Sequence, residues 1–206
     1  MAIPLPGPLS DDLVTAPGPA ERCEWSRLDA QAKRERLLAA ATEVFGRRGL
    51  DAPMSEVAEA AGAGVASIYR AFGSKHELLA TLVTRRMNQI AAAAEEADRR
   101  DGDRWTALTE MVRALVAAQR SDYTMLEARM RVADHPDVVE AVARTTAAQE
   151  RLLAAARAEG RLRADATTLD LRLLFAATRA ARNVEPERWQ RMLELMIDAL
   201  DTRRGQ

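Results

Sequence analysis

The sequence predicts an all-α protein, with an N-terminal three-helix unit containing a helix-turn-helix that runs into a C-terminal helical bundle, about nine helices in total. Three observations predict it. Alanine, leucine, glutamate and arginine dominate after residue 24, where prolines become rare. Apolar residues recur at three- and four-residue spacing along most of the chain, and no β-branched alternation lasts long enough for a sheet.

Residues 1–24 contain Pro4, Pro6, Pro8, Pro17 and Pro19 with Gly7 and Gly18, a composition that sustains no helix and has little to bury, so this stretch reads as a disordered tail. The first helix is expected from about Asp29 to Arg48, with Leu37, Leu38, Ala41, Val44 and Phe45 on one face and Gly49 as its stop. A short helix from Pro53 or Ser55 to Ala61 ends at the Gly62-Ala63-Gly64 break, and a third covers Val65 to Phe72. Ser74 and Glu77 stand three apart before an apolar run, the spacing of a capping box. They open a fourth helix, Lys75 to about Asp98, a rod of roughly 35 Å at 1.5 Å per residue.

Further helices are expected at about 104–119, 122–132 and 137–159, the last closed by Gly160, and then from about Thr168 to Arg182 and Pro186 to Asp201. The domain boundaries that follow are a tail at 1–24, an N-terminal helical unit at 25–76 and a C-terminal helical unit at 77–206. No Gly/Ser linker separates the two units, so a helix joins them.

Hydrophobic residues make up 48% of the chain and charged residues 30%, enough apolar material for a sizeable core. The 30 basic residues against 31 acidic ones leave a formal net charge of -1, so the overall balance announces no nucleic-acid partner and any such surface has to be local. Cys23 is the single cysteine, which excludes an intrachain disulfide and a cysteine-rich zinc site and fits a reducing, cytoplasmic compartment. His76 and His135 have no partner set for a metal, so no metal or other cofactor is expected. No apolar run reaches the roughly 18 residues of a membrane span, and no membrane partner is expected. Paired histidines, a Glu-x-x-His motif, a Gly-rich phosphate loop and a cysteine with a nearby base are all missing, which argues against an enzyme.

Two short helices joined by a glycine turn and braced by a longer helix make the pattern of a helix-turn-helix, whose second helix enters the major groove. Ala58, Ala61, Gly62 and Ala66 allow a close crossing, Ile68 and Phe72 pack against the first helix, and Ser67, Tyr69 and Arg70 face outward.

The run from Ala61 to Leu79, AGAGVASIYRAFGSKHELL, follows PMSEVAEA and a helix ending in VFGRRGLDA. Over about Gln31 to Leu82 this resembles the DNA-binding region of the TetR family of one-component repressors, matching at Phe45, Gly49, Ala61, Gly62, Tyr69, Phe72, Ser74, Lys75 and Leu78. The chain departs from the family where Gly64 replaces a serine or threonine cap, Ala71 a polar residue, and Ser67 a threonine. The resemblance implies that Ser67, Tyr69 and Lys75 contact phosphates, for which a hydroxyl, a phenol and an ammonium are chemically suited. Val65, Ala66 and Arg70 are then placed for base edges, the arginine fork suiting guanine and the apolar pair thymine methyls. Arg22, Arg27, Lys33, Arg34 and Arg36 interleave with Glu21, Glu24, Asp29 and Glu35, a pattern that reads as a solvated face in preference to a DNA-binding arm.

In the last two helices the apolar arc is wider than the roughly 100° that one core contact needs. Together with the usual dimer of the resembled family, this places Leu174, Ala177, Leu193, Met196, Ile197 and Leu200 at a homodimer interface. A twofold protein reads a palindromic operator in double-stranded DNA. Trp105, Met111, Tyr123, Met125 and Phe175 are candidates to line a small-molecule effector pocket, although such residues equally fill cores. Arg129 and Arg179, with Arg131 and Arg182, offer cations to an acidic ligand. The function expected is that of a repressor released from its operator by a ligand; the alternative is a protein of the same fold that binds ligands or scaffolds without operator binding.

Overall fold

A computed structural model describes residues 25–118, 123–185 and 188–204. The stretch assigned to a disordered tail, 1–24, lies outside them. Among the described residues nine α-helices follow a helical turn at 25–27: α1 Ala30–Arg48, α2 Met54–Ala60, α3 Val65–Phe72, α4 Lys75–Arg99, α5 Arg104–Ala117, α6 Tyr123–Arg131, α7 Pro136–Ala158, α8 Thr168–Val184 and α9 Trp189–Leu200. A 3₁₀ turn closes the described chain at Thr202–Arg204. Among the described residues the β pairing amounts to one isolated bridge, Leu162 to Asp201.

The helix ends follow local chemistry. Asp29 accepts the Ala32 N–H at 2.7 Å to start α1, and Gly49, at φ 81°, turns its N–H back to the Phe45 carbonyl to end it. Ser74 accepts the Glu77 N–H at 3.1 Å, so the serine's half of the expected capping box forms. The Glu77 carboxylate instead lies 3.2 Å from His135 Nε2, at the N-cap of α7. The last helix starts later than its sequence pattern predicts: Arg188 is the N-cap, and Pro186 lies outside the described residues.

Burial divides between two cores. The first joins the inward faces of α1, α2 and α3 (Leu37, Val44, Phe45, Val57, Ile68, Phe72) to Leu78, Leu79, Leu82 and Val83 of α4. It also takes in Ala128 of α6, Val132 just beyond it, and Val138 of α7. The second gathers Ala94 and Ala97 of α4 with α5, α7, α8 and α9, around Leu108, Val116, Leu152, Leu171 and Leu174.

Helix α4 therefore belongs to both cores, an unbroken run of 25 residues without glycine or proline. Its small buried residues Ala91, Ala94 and Ala97 face a helix with small buried residues of its own, Ala141, Ala148 and Ala156 of α7, which lets the two backbones approach closely. Two polar links fix their register. The buried Thr145 hydroxyl lies 2.8 Å from the Met87 carbonyl, and Arg144 grips both Glu95 oxygens at 3.0 and 2.8 Å. That grip holds the Glu95 carboxyl below its ordinary value.

Candidate DNA-binding surface and effector cavity

The turn between α2 and α3 requires a left-handed backbone at Gly62, φ 69°, where a side chain is disfavoured. Its N–H returns to the Glu59 carbonyl and that of Ala63 to Ala58, both at 2.8 Å. Ala61 and Ala63 are buried, so α3 crosses α2 closely, with Ile68 and Phe72 turned into the first core. Period 3.6 then leaves the other face of α3 to solvent: Val65 is 40% and Tyr69 47% exposed, and Ala66 and Arg70 are exposed with them. Ser67, expected to face outward with them, is half-buried, its hydroxyl 3.2 Å from Arg70 Nη2.

Lys75 stands apart from this face. It is half-buried at the start of α4, donating to the Ala52 carbonyl at 2.8 Å with its ammonium 5.5 Å from the Phe45 ring centre. Burial lowers its pKa. One of three ammonium protons is used there, leaving donors for an anion.

The interleaved charges of α1 hide a brace that sequence patterning does not reveal. Arg34 donates from Nη1 to the Ala71 carbonyl at 2.7 Å, and its guanidinium lies 4.4 Å from the Phe72 ring centre. A cation at the carboxyl end of α3 is favourable to the helix dipole and fixes that end against α1.

Behind this unit, a cavity of about 160 Å³ opens between four helices. Arg86, Met87 and Ile90 line it from α4, Leu115 from α5, Met125, Leu126 and Arg129 from α6, and Arg172, Phe175, Ala176 and Arg179 from α8. Four of the expected ligand residues, Met125, Arg129, Phe175 and Arg179, thus converge on one space. Trp105 and Met111 do not line it; both are buried in the second core, with the Arg161 guanidinium 5.6 Å from the Trp105 ring centre. Tyr123 opens α6, but its side chain lies outside the described residues. Arg86 and Arg172 are cavity residues that sequence patterning misses, because they read as solvated charges on amphipathic helices. A wider, open groove of about 710 Å³ runs between α1 and α4, and it shares Arg86 and Met125 with the cavity.

Helices α8 and α9 carry the remaining apolar surface. Leu169, Leu173, Met192 and Leu195 are 51%, 56%, 42% and 51% exposed. Of the residues expected at a subunit interface, Ala177, Met196 and Leu200 are half-buried, whereas Leu174, Leu193 and Ile197 are covered by their own chain in the second core. His76 and His135 lie with ring centres 5.9 Å apart, and among the described residues no group of three or more His, Cys, Asp or Glu side chains is arranged to hold a metal. No helix among the described residues is long and apolar enough to cross a membrane.

A helix-turn-helix seated on a long helix that runs on into a helical bundle is the architecture of a DNA-binding transcription regulator. The model of bacterial regulatory proteins of the tetR family matches residues 37–82, and that of the transcriptional regulator SbtR-like C-terminal domain matches residues 103–202. The chain belongs to the TetR family of transcriptional regulators.

Solved structures agree. A TetR transcription regulatory protein from Mycobacterium vanbaalenii is 27% identical with a TM-score of 0.57, over 88% of this chain and 99% of its own. AmtR from Mycobacterium smegmatis is 25% identical with a TM-score of 0.60, over 83% of this chain and 87% of its own. SmeT, the repressor of the Stenotrophomonas maltophilia multidrug efflux pump SmeDEF, shares the fold at 22% identity and a TM-score of 0.60, over 86% of this chain and 93% of its own. No curated protein matches the sequence.

Proposed function

We propose that the chain acts as a homodimeric repressor that holds a palindromic operator through paired α3 helices and releases it when a small molecule enters the cavity between α4, α5, α6 and α8. The observation that carries this reading is the double role of α6. One side of it lines the cavity with Met125, Leu126 and Arg129. The adjoining face places Ala128 in the core of the DNA-binding unit, with Val132 following it there and Met125 packed against it. Arg131 on the same helix holds Asp51, in the loop between α1 and α2. A ligand that moves α6 therefore acts on the base of the helix-turn-helix, and α4, shared by both cores, carries the same displacement.

Val65, Ala66 and Arg70 are the residues assigned to base edges, with Ser67, Tyr69 and Lys75 on phosphates. Exposed apolar residues of α8 and α9, Leu169, Leu173, Met192 and Leu195, extend the proposed dimer surface beyond Ala177, Met196 and Leu200. Such a dimer presents its two α3 helices about one DNA turn apart, about 34 Å. SmeT, on the same fold, has been solved in complex with triclosan.

The test is selection of duplexes from a random pool by the full-length protein, followed by anisotropy titrations. A palindromic consensus and an affinity that falls steeply with salt are expected. Tyr69→Ala should weaken all sequences alike, and Arg70→Ala should relax preference at one position of each half-site. Recovery of no consensus, with affinity indifferent to salt, would overturn the reading.

A further inference from the structure

The lining of the α4–α8 cavity has an unusual charge composition. Four guanidiniums, from Arg86, Arg129, Arg172 and Arg179, share it with apolar side chains, and among the described residues no aspartate or glutamate lines it. Elsewhere in the molecule arginines find carboxylates: Arg85 with Glu35, Arg113 with Glu194, Arg144 with Glu95, Arg161 with Asp201. Arg86, Arg129 and Arg172 form no ion pair among the described residues. Like charges gathered on one space repel each other, and an anion placed among them relieves that repulsion.

Taking the cavity as the effector site of the preceding section, we infer that the effector is a small amphipathic organic anion, a carboxylate or phosphate ester carrying one ring or a short alkyl chain. The planar fork of arginine matches carboxylate and phosphate oxygens in pairs. Met87, Ile90, Leu115 and Phe175 supply walls that favour hydrocarbon over a second charge. Size sets the other limit: an apolar cavity of roughly 150 Å³ accommodates benzene, and this one measures about 160 Å³. An anion held between Arg86 of α4 and Arg129 of α6 also joins the two helices that reach the DNA-binding core.

Isothermal titration of the full-length protein with phenylacetate, hexanoate and phenyl phosphate, set against phenylacetamide, hexanamide and phenethylamine, tests this. At least one anion should bind, about tenfold or more tighter than its neutral counterpart, with an affinity that falls as salt rises. Arg129→Gln with Arg172→Gln should lose about tenfold or more of that affinity while the melting temperature stays near that of the parent protein. Arg86→Lys keeps the charge but not the fork and should lose part of it. Amides binding as well as acids, the amine binding best, or no anion binding at all would overturn the inference. Repeating the titrations with selected operator DNA separates the two readings. An anion that binds in the cavity yet leaves operator affinity unchanged defeats the effector role alone, whereas release of DNA by the neutral compounds defeats the anion inference alone.

Discussion

Arg131, the last residue of α6, donates through Nη1 to Asp51 Oδ1 at 2.9 Å, spanning from the cavity-lining helix to the loop between α1 and α2. Its other amino group holds Glu127 on its own helix at 2.6 Å, so the guanidinium is aimed before it reaches the loop. The hydrogen bond from Arg131 keeps the Asp51 carboxyl below its ordinary pKa. Both side chains are open to water, so the pair positions more than it stabilises.

Arg131→Ala is accordingly expected to leave the melting temperature almost unchanged while raising amide exchange in the loop at 49–53. High salt should produce the same loosening in the parent protein. Hydrogen exchange followed by mass spectrometry reads both, and unchanged protection in the loop would contradict the role given to the pair.

Gly62→Ala places a side chain on the left-handed turn residue between α2 and α3. The cost of that backbone conformation is about 1–2 kcal/mol, read by urea unfolding. DNA affinity should fall with it, because the turn sets how α3 crosses α2.

Leu173 and Leu174 are neighbours in sequence with opposite environments, 56% and 1% exposed. Leu174→Ala should destabilise the chain by about 2–5 kcal/mol through a cavity in the second core. Leu173→Glu should spare the fold and weaken self-association, which light scattering over a dilution series measures. If Leu173→Glu left the dimer intact, this face would not be the subunit contact.

Asp201 closes the end of α9. Its carboxylate takes the Arg161 guanidinium at 2.8 Å and the Arg203 N–H at 3.0 Å, and the arginine hydrogen bond is the main cause holding its pKa below the ordinary carboxylate value. A group with a lowered folded-state pKa contributes stability above its unfolded value of about 3.9, and that contribution is lost as pH falls through the folded value. Asp201→Asn should therefore melt lower than the parent at pH 7, and the gap should close as the pH drops below 4. Thermal melts at pH 7 and pH 3 check the sign.

Most helices were legible because they leave a local trace: a 3.6-residue period, a capping side chain at Ser74, a glycine at position 49 or 62. The outward face of α3 was legible for the same reason, since burial of Ile68 and Phe72 fixes where Tyr69 and Arg70 point. The cavity is a different kind of object. Arg86 and Arg172 lie 86 positions apart in sequence, and nothing in the period of either helix says that they face one another. The arc of α8 and α9 shows that two apolar faces exist without saying which turns inward, so Leu174, Leu193 and Ile197 belong to the core while Leu169, Leu173 and Leu195 remain outside.

Because α4 contributes side chains to both cores along one continuous run of backbone hydrogen bonds, neither unit can melt without stripping packing from the other. Calorimetry of the intact protein should give one heat-absorption peak in place of two, and a destabilising change in the bundle should lower the unfolding temperature of the DNA-reading end by the same amount. Effector occupancy and protection of the DNA-reading helices against proteases would then rise and fall together.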